Sequence, residues 1–228
     1  RTGAVTAAAL RRLAPEYAKK AALLGAGGQG RVVADIALHT GRYREIGFLD
    51  DDPAVADTGL PFPLLGSFSE YGKWLGEADF AVAIGNNAVR EALQDRLTAA
   101  GASLATLIHP RAFVASRVTL GAGSVVMAGA VINVDAVIGR GVIVNTCASV
   151  DHDCRIGDFC HVSVGARLAG TVHVGDRSTL GVGAVVRNNT DICADCMVGA
   201  GAAVVSPLTE PGVYVGVPAR RLYPDGVN

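Results

Sequence analysis

Three side chains that could carry acid–base chemistry lie close together in the second half of the chain: His152, its neighbour Asp153, and His161 nine residues later. Histidine is the usual general base near neutral pH, and an adjacent carboxylate can orient its ring. Acyl transfer from a thioester to an amine needs such a base and hydrogen-bond donors for the developing oxyanion. An exposed histidine beside an aspartate is more often a solvated surface pair, so the elements that position these residues decide the interpretation.

The segment around these residues is a repeat. Sixteen aliphatic residues stand at an interval of six from Val114 to Val204 without a gap. This period fits neither an α-helix nor an alternating strand; it predicts short strands linked by tight turns, each with one large and one small inward residue. If three hexapeptides form one triangular coil, about five coils stack into a prism about 24 Å tall. The small residues stand four positions after most of the aliphatic ones: Ser124, Ala130, Ala136, Ala148, Cys154, Cys160, Ala166, Ser178, Ala184, Cys196 and Ala202.

The first half of the chain alternates short apolar runs with helix-like segments, which predicts a parallel sheet. Gly25, Gly27 and Gly30 form a G-x-G-x-x-G pattern between the first strand and the first helix, and Asp50 follows twenty residues later, as in dinucleotide binding. Only about 90 residues precede the repeat, which is room for one of the two halves of a dinucleotide site. The expected strands lie from 21, at 46–49, at 80–84 and near 104–108, and the expected helices at 31–38 and 90–97.

We therefore expect this half to bind one nucleotide, with its diphosphate on the backbone N–H groups at the start of the first helix. Gly28 lies in the same turn, and Asp50 or Asp51 is placed to accept hydrogen bonds from a base or a ribose. The alternative is a glycine-rich turn that only packs a helix against a sheet.

The composition excludes several classes of partner. The chain has 228 residues, 50% of them hydrophobic, with 20 Lys+Arg against 21 Asp+Glu and a net charge of -1, which disfavours nucleic acid and acidic membranes as partners. Apolar runs fall short of the roughly 18 residues that a membrane-spanning helix needs, and the first twenty residues show no export signal. The five cysteines form an odd set typical of a reducing compartment, so the expected location is cytoplasmic.

Seven short motifs occur along the chain: Gly25-Ala-Gly-Gly-Gln-Gly30, Phe48-Leu-Asp-Asp51, Ile84-Gly-Asn-Asn87, Asn145-Thr-x-x-x-Val-x-His152-Asp-Cys, His161-Val-Ser-Val-Gly-Ala166, Ala169-Gly170 and Gly212-Val-Tyr-Val-Gly-Val-Pro-Ala219. On these motifs, in this order, the chain resembles bacterial nucleotide-sugar acetyltransferases of the PglD/NeuD type, within the hexapeptide-repeat acyltransferases. The resemblance covers about residues 21–222. It implies an α/β Rossmann-like nucleotide-sugar-binding domain at 21–108 and an all-β left-handed parallel β-helix with a C-terminal tail at 109–228. Residues 1–20 are then an N-terminal extension or linker.

The resemblance also assigns roles in acyl transfer. It implies that His152 is the catalytic base and that Asp153, where relatives often carry glutamate, orients or polarises it. His161 would lie near the thioester, the Gly170 backbone N–H would meet the carbonyl oxygen, and Asn145 would line the acceptor pocket. Nine residues are half a coil, so one chain cannot easily bring the two histidines together. The resemblance implies a homotrimer with its sites in the clefts between subunits.

Further residues are implied for the two substrates. Gly85, Asn86 and Asn87 would close over the nucleotide-linked sugar. Acetyl-CoA is the implied co-substrate, and its pantetheine arm would run beside the later coils. Basic residues after the last coil could instead simply cap the end of the solenoid. The candidates for contacting the coenzyme are Val182, Ala200, Pro218 and Arg220, with Arg221 as the alternative near a phosphate.

The expected function is N-acetylation of a nucleotide-linked amino sugar in bacterial glycan biosynthesis. The substrate expected first is a UDP-linked 4-amino-4,6-dideoxy sugar. One alternative is O-acetylation of a sialic acid or another sugar hydroxyl. A second is a zinc enzyme like the γ-class carbonic anhydrases, using His152, His161 and His173, although the spacing of twelve between the last two places them on different faces, and no metal is expected. A third is a nucleotide-binding trimeric scaffold without catalysis. Cys193-x-x-Cys196 is interpreted as core filling.

Overall fold

The computed structural model describes residues 19–222, so the expected extension at 1–20 lies almost wholly outside the described residues. Contacts divide the chain into two compact units between Pro110 and Arg111, whereas the sequence placed this boundary after residue 108. No helix in the described part of the chain is long and apolar enough to cross a membrane.

The first unit is built on a parallel sheet of five strands. The elements of this unit are β1 (Lys20–Leu24), a helix (Gly28–His39), β2 (Glu45–Leu49), a 3₁₀ helix (Pro53–Thr58), β3 (Leu64–Gly66), a 3₁₀ helix (Phe68–Trp74), β4 (Ala78–Val82), a helix (Asn87–Ala99), β5 (Ser103–Leu104) and β6 (Leu107–Ile108). The strand order in the sheet is β3-β2-β1-β4-β5. The predicted single strand near 104–108 is two short strands, because pairing with β4 ends at Leu104. Strand β3 and two 3₁₀ helices were not predicted, since none of them has a long apolar period.

The strand order of this sheet reverses between β1 and β4, which are neighbours although β2 and β3 separate them along the chain. In open α/β sheets, ligands bind outside the carboxyl ends of the strands at such a switch point. The glycine-rich turn follows β1, and the segment Gly85–Asn87 follows β4. The topology therefore brings both predicted nucleotide-binding loops to the same edge of the sheet.

The second unit is a left-handed parallel β-helix. The hexapeptide repeat predicted the stacked coil, and the resemblance predicted its left-handed sense. From 113 to 186, each short strand pairs in parallel with the strand 18 residues later, as in Val150 with Leu168, and all sixteen periodic aliphatic residues lie in strands. The strands are β7 (Phe113–Val114), β8 (Thr119–Leu120), β9 (Val125–Val126), β10 (Val131–Ile132), β11 (Val137–Ile138), β12 (Ile143–Val144), β13 (Ser149–Val150), β14 (Arg155–Ile156), β15 (His161–Val162), β16 (Arg167–Leu168), β17 (His173–Val174), β18 (Thr179–Leu180), β19 (Val185–Val186), β20 (Asp191–Ile192), β21 (Cys196–Val198), β22 (Ala203–Val204), β23 (Gly212–Val215) and β24 (Arg220–Leu222).

Three walls enclose the core of this unit. One wall has the order β22-β19-β16-β13-β10-β7 and the second the order β20-β17-β14-β11-β8. The third contains β9, β12, β15, β18 and β21 and ends in the antiparallel hairpin of β23 and β24. Because consecutive strands lie on different walls, residues 18 apart stack directly on one another, and residues nine apart do not.

Every corner of the coil requires a left-handed backbone. Each sixth residue from Gly123 to Gly201 has a positive φ, whether or not it is glycine. A non-glycine residue in this conformation costs roughly 1–2 kcal/mol, and the β-branched Thr171 and the aspartate Asp153 both adopt it, with φ of 59°. Both residues lie beside the candidate site described below.

The core is a stack of one large and one small side chain per hexapeptide. All eleven of the predicted small residues are buried, and one corner consists only of alanines stacked at intervals of 18. The neighbouring coils stack directly above and below each alanine, so a larger side chain there would have to displace them. This alanine column is Ala130, Ala148, Ala166, Ala184 and Ala202.

Replacing the central alanine of the column tests this packing. We expect Ala166→Leu to lower the free energy of unfolding by about 1–3 kcal/mol or more, because extra methylenes in a close-packed core force side chains and backbone to shift. Chemical denaturation measures the loss. The matched control is Ala122→Leu, at an exposed position of the same repeat, which should change stability little. Equal losses in the two variants would show that the column is not tightly packed.

Candidate functional site

His152 lies in the turn that follows β13, with its ring largely exposed. Its Nδ1 is 2.8 Å from Oδ2 of Asp153, and 53% of its side chain is accessible. Asp153 occupies a left-handed corner, and this turn brings its carboxylate back beside the ring of its neighbour. With the proton on Nδ1 donated to Asp153, Nε2 presents its lone pair, as a general base requires.

The hydrogen bond that Nδ1 of His152 donates to Asp153 is the main cause that raises the pKa of His152. Desolvation opposes it, and the negative charges of Asp151 and Asp153 add smaller upward effects. A raised pKa makes the neutral ring a stronger base. The protonated ring is the form that the pair stabilises, so this contribution to folding stability is present below the ordinary histidine pKa and is lost as the pH rises through the raised value. The neutral imidazole, which is the form that can accept a proton, becomes populated over the same pH range.

Gly170 stacks against His152 one coil later. A Cβ at this position would overlap the imidazole at Nε2, so only glycine leaves the ring in place. The Gly170 residue is buried, and its amide N–H donates no hydrogen bond to any other described residue. The coil therefore places a residue with an unpaired backbone N–H next to the nitrogen that can act as a base. A base and a hydrogen-bond donor are the two groups that acyl transfer needs.

Asp151 and Asn133 support this arrangement, and the sequence analysis did not identify them. Oδ1 of Asp151 accepts hydrogen bonds from Nδ2 of Asn133 at 2.7 Å and from the backbone N–H of His152 at 2.8 Å. The bond from Asn133 is the main cause that lowers the pKa of Asp151. The spacing of 18 between Asn133 and Asp151 indicates this contact once the coil length is known.

Asn145 and His161 form a second group. Nδ2 of Asn145 is 2.9 Å from Nε2 of His161, and Oδ1 of Asn145 accepts the N–H of Thr146 at 2.7 Å. His161 begins β15 in the third wall, whereas His152 follows β13 in the first. One chain therefore brings together His152, Asp153 and Gly170, and separately Asn145 and His161, but the two groups start from different walls.

Another histidine resembles His152 in its immediate contact. Nδ1 of His173 is 2.9 Å from Oδ1 of Asp191, and the ring is 46% exposed. His173 begins β17 in the second wall. Among the described residues, the ligand atoms of His152, His161 and His173 do not lie close enough together to bind one metal ion. A group whose ligand atoms all lie within 4.8 Å of one another is Asp35, His39 and His109 in the first unit.

The cysteines pack as small side chains. Cys154 and Cys160 donate to the carbonyl oxygens of Ala169 and Gly175. Sγ of Cys193 lies 3.5 Å from Sγ of Cys196. Burial is the main cause that raises the pKa of Cys196 to about 12, so its thiol stays protonated and is a poor nucleophile or metal ligand at neutral pH.

One corner of the coil, which includes the predicted coenzyme contacts Val182 and Ala200, forms an exposed apolar edge. Val164, Val182 and Ala200 stack there at intervals of 18, and the two valines are 44% and 57% exposed. The amide N–H groups of these three residues donate to no other described residue, so the edge combines apolar side chains with open backbone donors. Such donors suit the amide carbonyls of an extended arm.

The tail that follows the last coil distinguishes the two arginine candidates. Arg221 is held by Glu210 and by the carbonyl oxygen of Pro211. Arg220 donates to the adjacent Ala219 carbonyl and has an exposed side chain. Arg220 is therefore better placed to meet a phosphate, and Pro218 lies exposed in the turn just before it.

The glycines of the nucleotide-binding turn divide into two kinds. Gly25 has a φ of +109°, and a Cβ there would come within 2.6 Å of Cδ1 of Ile84; a Cβ at Gly30 would overlap the backbone of Gly25. These two glycines are explained by packing of the helix on the sheet. At Gly27 and Gly28 a Cβ would meet nothing within 4 Å, so packing does not require them. They leave uncrowded backbone at the helix start, a position that can receive an anionic group.

The two aspartates after β2 hold the surrounding loops. Asp50 accepts the N–H of Ala26 through Oδ2 at 2.7 Å and the N–H of Asp52 through Oδ1 at 3.0 Å. Asp51 accepts the N–H of Phe68 at 2.8 Å. Each carboxylate oxygen has two lone pairs, so both residues keep acceptor capacity for a base or a ribose.

The loop after β4 is also held by its own side chains. Gly85 has nothing within 4 Å of a Cβ position. Oδ1 of Asn86 accepts the N–H of Val89 at 3.1 Å and caps the second helix. Asn87 is held by Arg90 at 2.8 Å. Arg90 was placed in the predicted helix but not in the predicted site, since an arginine in a helical run carries no sign of its burial.

Comparisons with known proteins support both units. The PglD N-terminal domain family matches residues 20–97. UDP-N-acetylbacillosamine N-acetyltransferase of Bacillus subtilis is 36% identical over 116 residues, 48% of this chain and 52% of that protein, so the match spans about half the length of that curated relative.

Solved structures match over most of the chain. The acetyltransferase domain of PglB from Neisseria gonorrhoeae has a TM-score of 0.86 at 41% identity, over 90% of this chain and 100% of that one, and it has also been solved with acetyl coenzyme A. PerB from Caulobacter crescentus, solved with CoA and GDP-perosamine, has a TM-score of 0.82 at 40% identity, over 90% of this chain and 97% of that one.

Replacing the partner of His152 tests the electrostatics of the site. We expect Asp153→Asn to lower the pKa of His152 towards the ordinary histidine value, because the hydrogen bond from the ring to the carboxylate is the main cause of the raised pKa. NMR titration of the histidine ring resonances measures it. Asp191→Asn, which removes the partner of His173, is the matched control and should leave the His152 titration in place. An unchanged pKa in Asp153→Asn would rule out the pairing.

Proposed function

The chain belongs to the PglD-type acetyltransferases, and we propose that it transfers the acetyl group of acetyl-CoA to an amino group of a nucleotide-linked amino sugar. The observation that carries the proposal is the site at His152, where a base oriented by Asp153 lies against Gly170, whose backbone N–H donates to no other described residue. The Bacillus subtilis relative is named as a UDP-N-acetylbacillosamine N-acetyltransferase, and PerB was solved with GDP-perosamine. A UDP-linked 4-amino-4,6-dideoxy sugar is the acceptor we propose.

The chemistry follows from the atoms at this site. The amine nitrogen attacks the thioester carbon while Nε2 of His152 accepts a proton from the amine, and the carbonyl oxygen gains negative charge. The Gly170 N–H donates to that oxygen. The C–S bond then breaks, the sulfur of coenzyme A takes up the proton from the imidazolium, and the N-acetyl sugar is released. Asp153 stabilises the imidazolium while the proton is held there.

We assign the nucleotide to the first unit. The N–H groups at Gly27 and Gly28, at the start of a helix, receive the diphosphate, because this end of the helix carries partial positive charge. The remaining lone pairs of Asp50 and Asp51 accept from the base or the ribose. Uracil, thymine and guanine all offer N–H donors, so the identity of the base is decided by binding experiments and not by these two carboxylates.

We propose a homotrimer in which the two groups of the second unit meet across subunits. His152 with Gly170 comes from one chain and His161 with Asn145 from the next, which supplies the acceptor pocket and the surroundings of the thioester. Acetyl-CoA then extends along the apolar edge at Val182 and Ala200 towards Arg220. The walls of the coil support this arrangement because they place the two groups on different walls of one chain. The cytoplasmic location stays a prediction.

An acetyltransferase assay tests the function. The purified protein is mixed with acetyl-CoA and a UDP-linked 4-amino-4,6-dideoxy sugar, and release of the free thiol is followed. We expect turnover, and we expect His152→Ala to lower kcat by about 10²–10⁴, the usual contribution of a general base. His173→Ala is the matched control, because His173 has the same kind of aspartate partner but no place in the site, and its kcat should stay within about twofold.

The same assay contains the outcomes that go against the proposal. Thiol release with sugar hydroxyl acceptors, such as a sialic acid, and none with amines would make the enzyme an O-acetyltransferase. Nucleotide binding without thiol release from any acceptor would leave a binding scaffold. Full turnover in His152→Ala would show that His152 is not the general base.

Mixing two inactive variants tests the site between subunits. His152→Ala and His161→Ala chains are co-expressed, so that they assemble together. Because a complete site needs His152 from one chain and His161 from the next, about a quarter of the sites in randomly mixed trimers are intact, and activity should reappear. Activity no greater than that of either variant alone would place the complete site within one chain.

A further inference from the structure

Arg90 is the largest fully buried side chain among the described residues, with 1% of its surface exposed. It lies in the helix Asn87–Ala99 that follows β4. A buried cation is expensive unless strong acceptors surround it, so the contacts of its guanidinium indicate what the residue does.

The guanidinium of Arg90 bonds to the loop at the end of β4. Nη1 donates to the carbonyl oxygen of Ile84 at 2.9 Å and to that of Gly85 at 3.2 Å. Nη2 donates to Oδ1 of Asn87 at 2.8 Å. One rigid, planar group therefore holds two successive backbone carbonyls and one side chain of the same loop. The compact ammonium of a lysine cannot reproduce this fork.

The loop that Arg90 holds lies at the switch point of the sheet, next to the glycine-rich turn after β1. The carbonyl oxygens of Ile84 and Gly85 are bound to the guanidinium, whereas the backbone N–H groups of Gly85 and Asn86 donate to no other described residue. The side chain of Asn86 is already used to cap the helix through Val89. Both the orientation of the loop and the positive charge beneath it favour an anionic ligand.

We propose that Arg90 is a positioning residue that holds the loop 84–87 in the conformation that binds the diphosphate of the nucleotide-linked sugar. This inference rests on the proposed function. It assigns nucleotide affinity to a residue that is buried beneath the loop and does not touch the ligand. The acyl-transfer step, which uses residues of the second unit, does not depend on it.

Two variants separate the geometry of the guanidinium from its charge. Arg90→Lys keeps the positive charge but loses the planar guanidinium with its two donor nitrogens. Arg90→Gln loses the charge and keeps one amide nitrogen as a donor. Arg96→Lys, at an exposed position of the same helix, is the matched control. For each protein we would measure calorimetric binding of UDP, GDP and dTDP, the KM for the nucleotide sugar, the KM for acetyl-CoA, kcat, and the melting temperature.

We expect Arg90→Lys to raise the dissociation constant of the nucleoside diphosphate and the KM of the nucleotide sugar by about tenfold or more. The KM for acetyl-CoA and kcat at saturation should stay within about twofold, as should all constants of Arg96→Lys. Arg90→Gln should weaken nucleotide binding as well. The split between the two KM values is the result that a merely structural role would not produce.

Three results overturn the inference. If Arg90→Lys and Arg90→Gln bind the nucleotide as the wild-type protein does, the loop does not need the guanidinium. If both variants have a lower melting temperature, a lower kcat and equally raised KM values for the two substrates, Arg90 is a structural residue. If the wild-type protein binds none of the three nucleoside diphosphates, the nucleotide assignment of the proposed function fails, and the inference about Arg90 fails with it. If the wild-type protein binds a nucleoside diphosphate and the variants bind it equally well, only the inference fails and the proposed function stands.

Discussion

The stacking of each 18-residue coil on the next is the constraint on which the chemistry of the second unit depends. Parallel backbone hydrogen bonds fix this register from Val114 to Val204, and it places Gly170 against His152 and Asn133 against Asp151. A shift of one hexapeptide would move each partner to another wall. The site therefore needs no long loops, since the ladder that stabilises the fold also sets the distances within the site.

The comparison of two histidines shows how much the stacked neighbour matters. His152 and His173 each have an aspartate at hydrogen-bonding distance and similar exposure. The residue that lies one coil beyond His152 is glycine, which leaves space and an open N–H, whereas Asp191 stacks one coil beyond His173 and takes its Nδ1. The neighbour across the coil, and not the His–Asp pair itself, distinguishes a candidate base from a surface ion pair.

The first unit uses a different device, in which two loops meet at the switch point of a parallel sheet. Packing accounts for Gly25 and Gly30 but leaves Gly27 and Gly28 open. Asp50, Asp51 and Arg90 are each engaged with loop backbone. When loops are already rigid, less conformational entropy is lost as a ligand binds. Asp50, Asp51 and Arg90 therefore contribute to nucleotide binding by holding these loops in place.

The sequence by itself determined the two-unit organisation, the sixfold repeat with its small inward residues, and the pairing of His152 with Asp153, because these depend on local spacing. It misplaced or missed β3 and the break after Leu104, which depend on pairing with strands distant in the chain. Only the tertiary structure showed that Gly170 lies against the His152 ring, that Arg221 is held while Arg220 is available, and that Arg90 is buried. Those facts depend on which side chains the register and the sheet order bring into contact, and spacing along one chain does not contain that information.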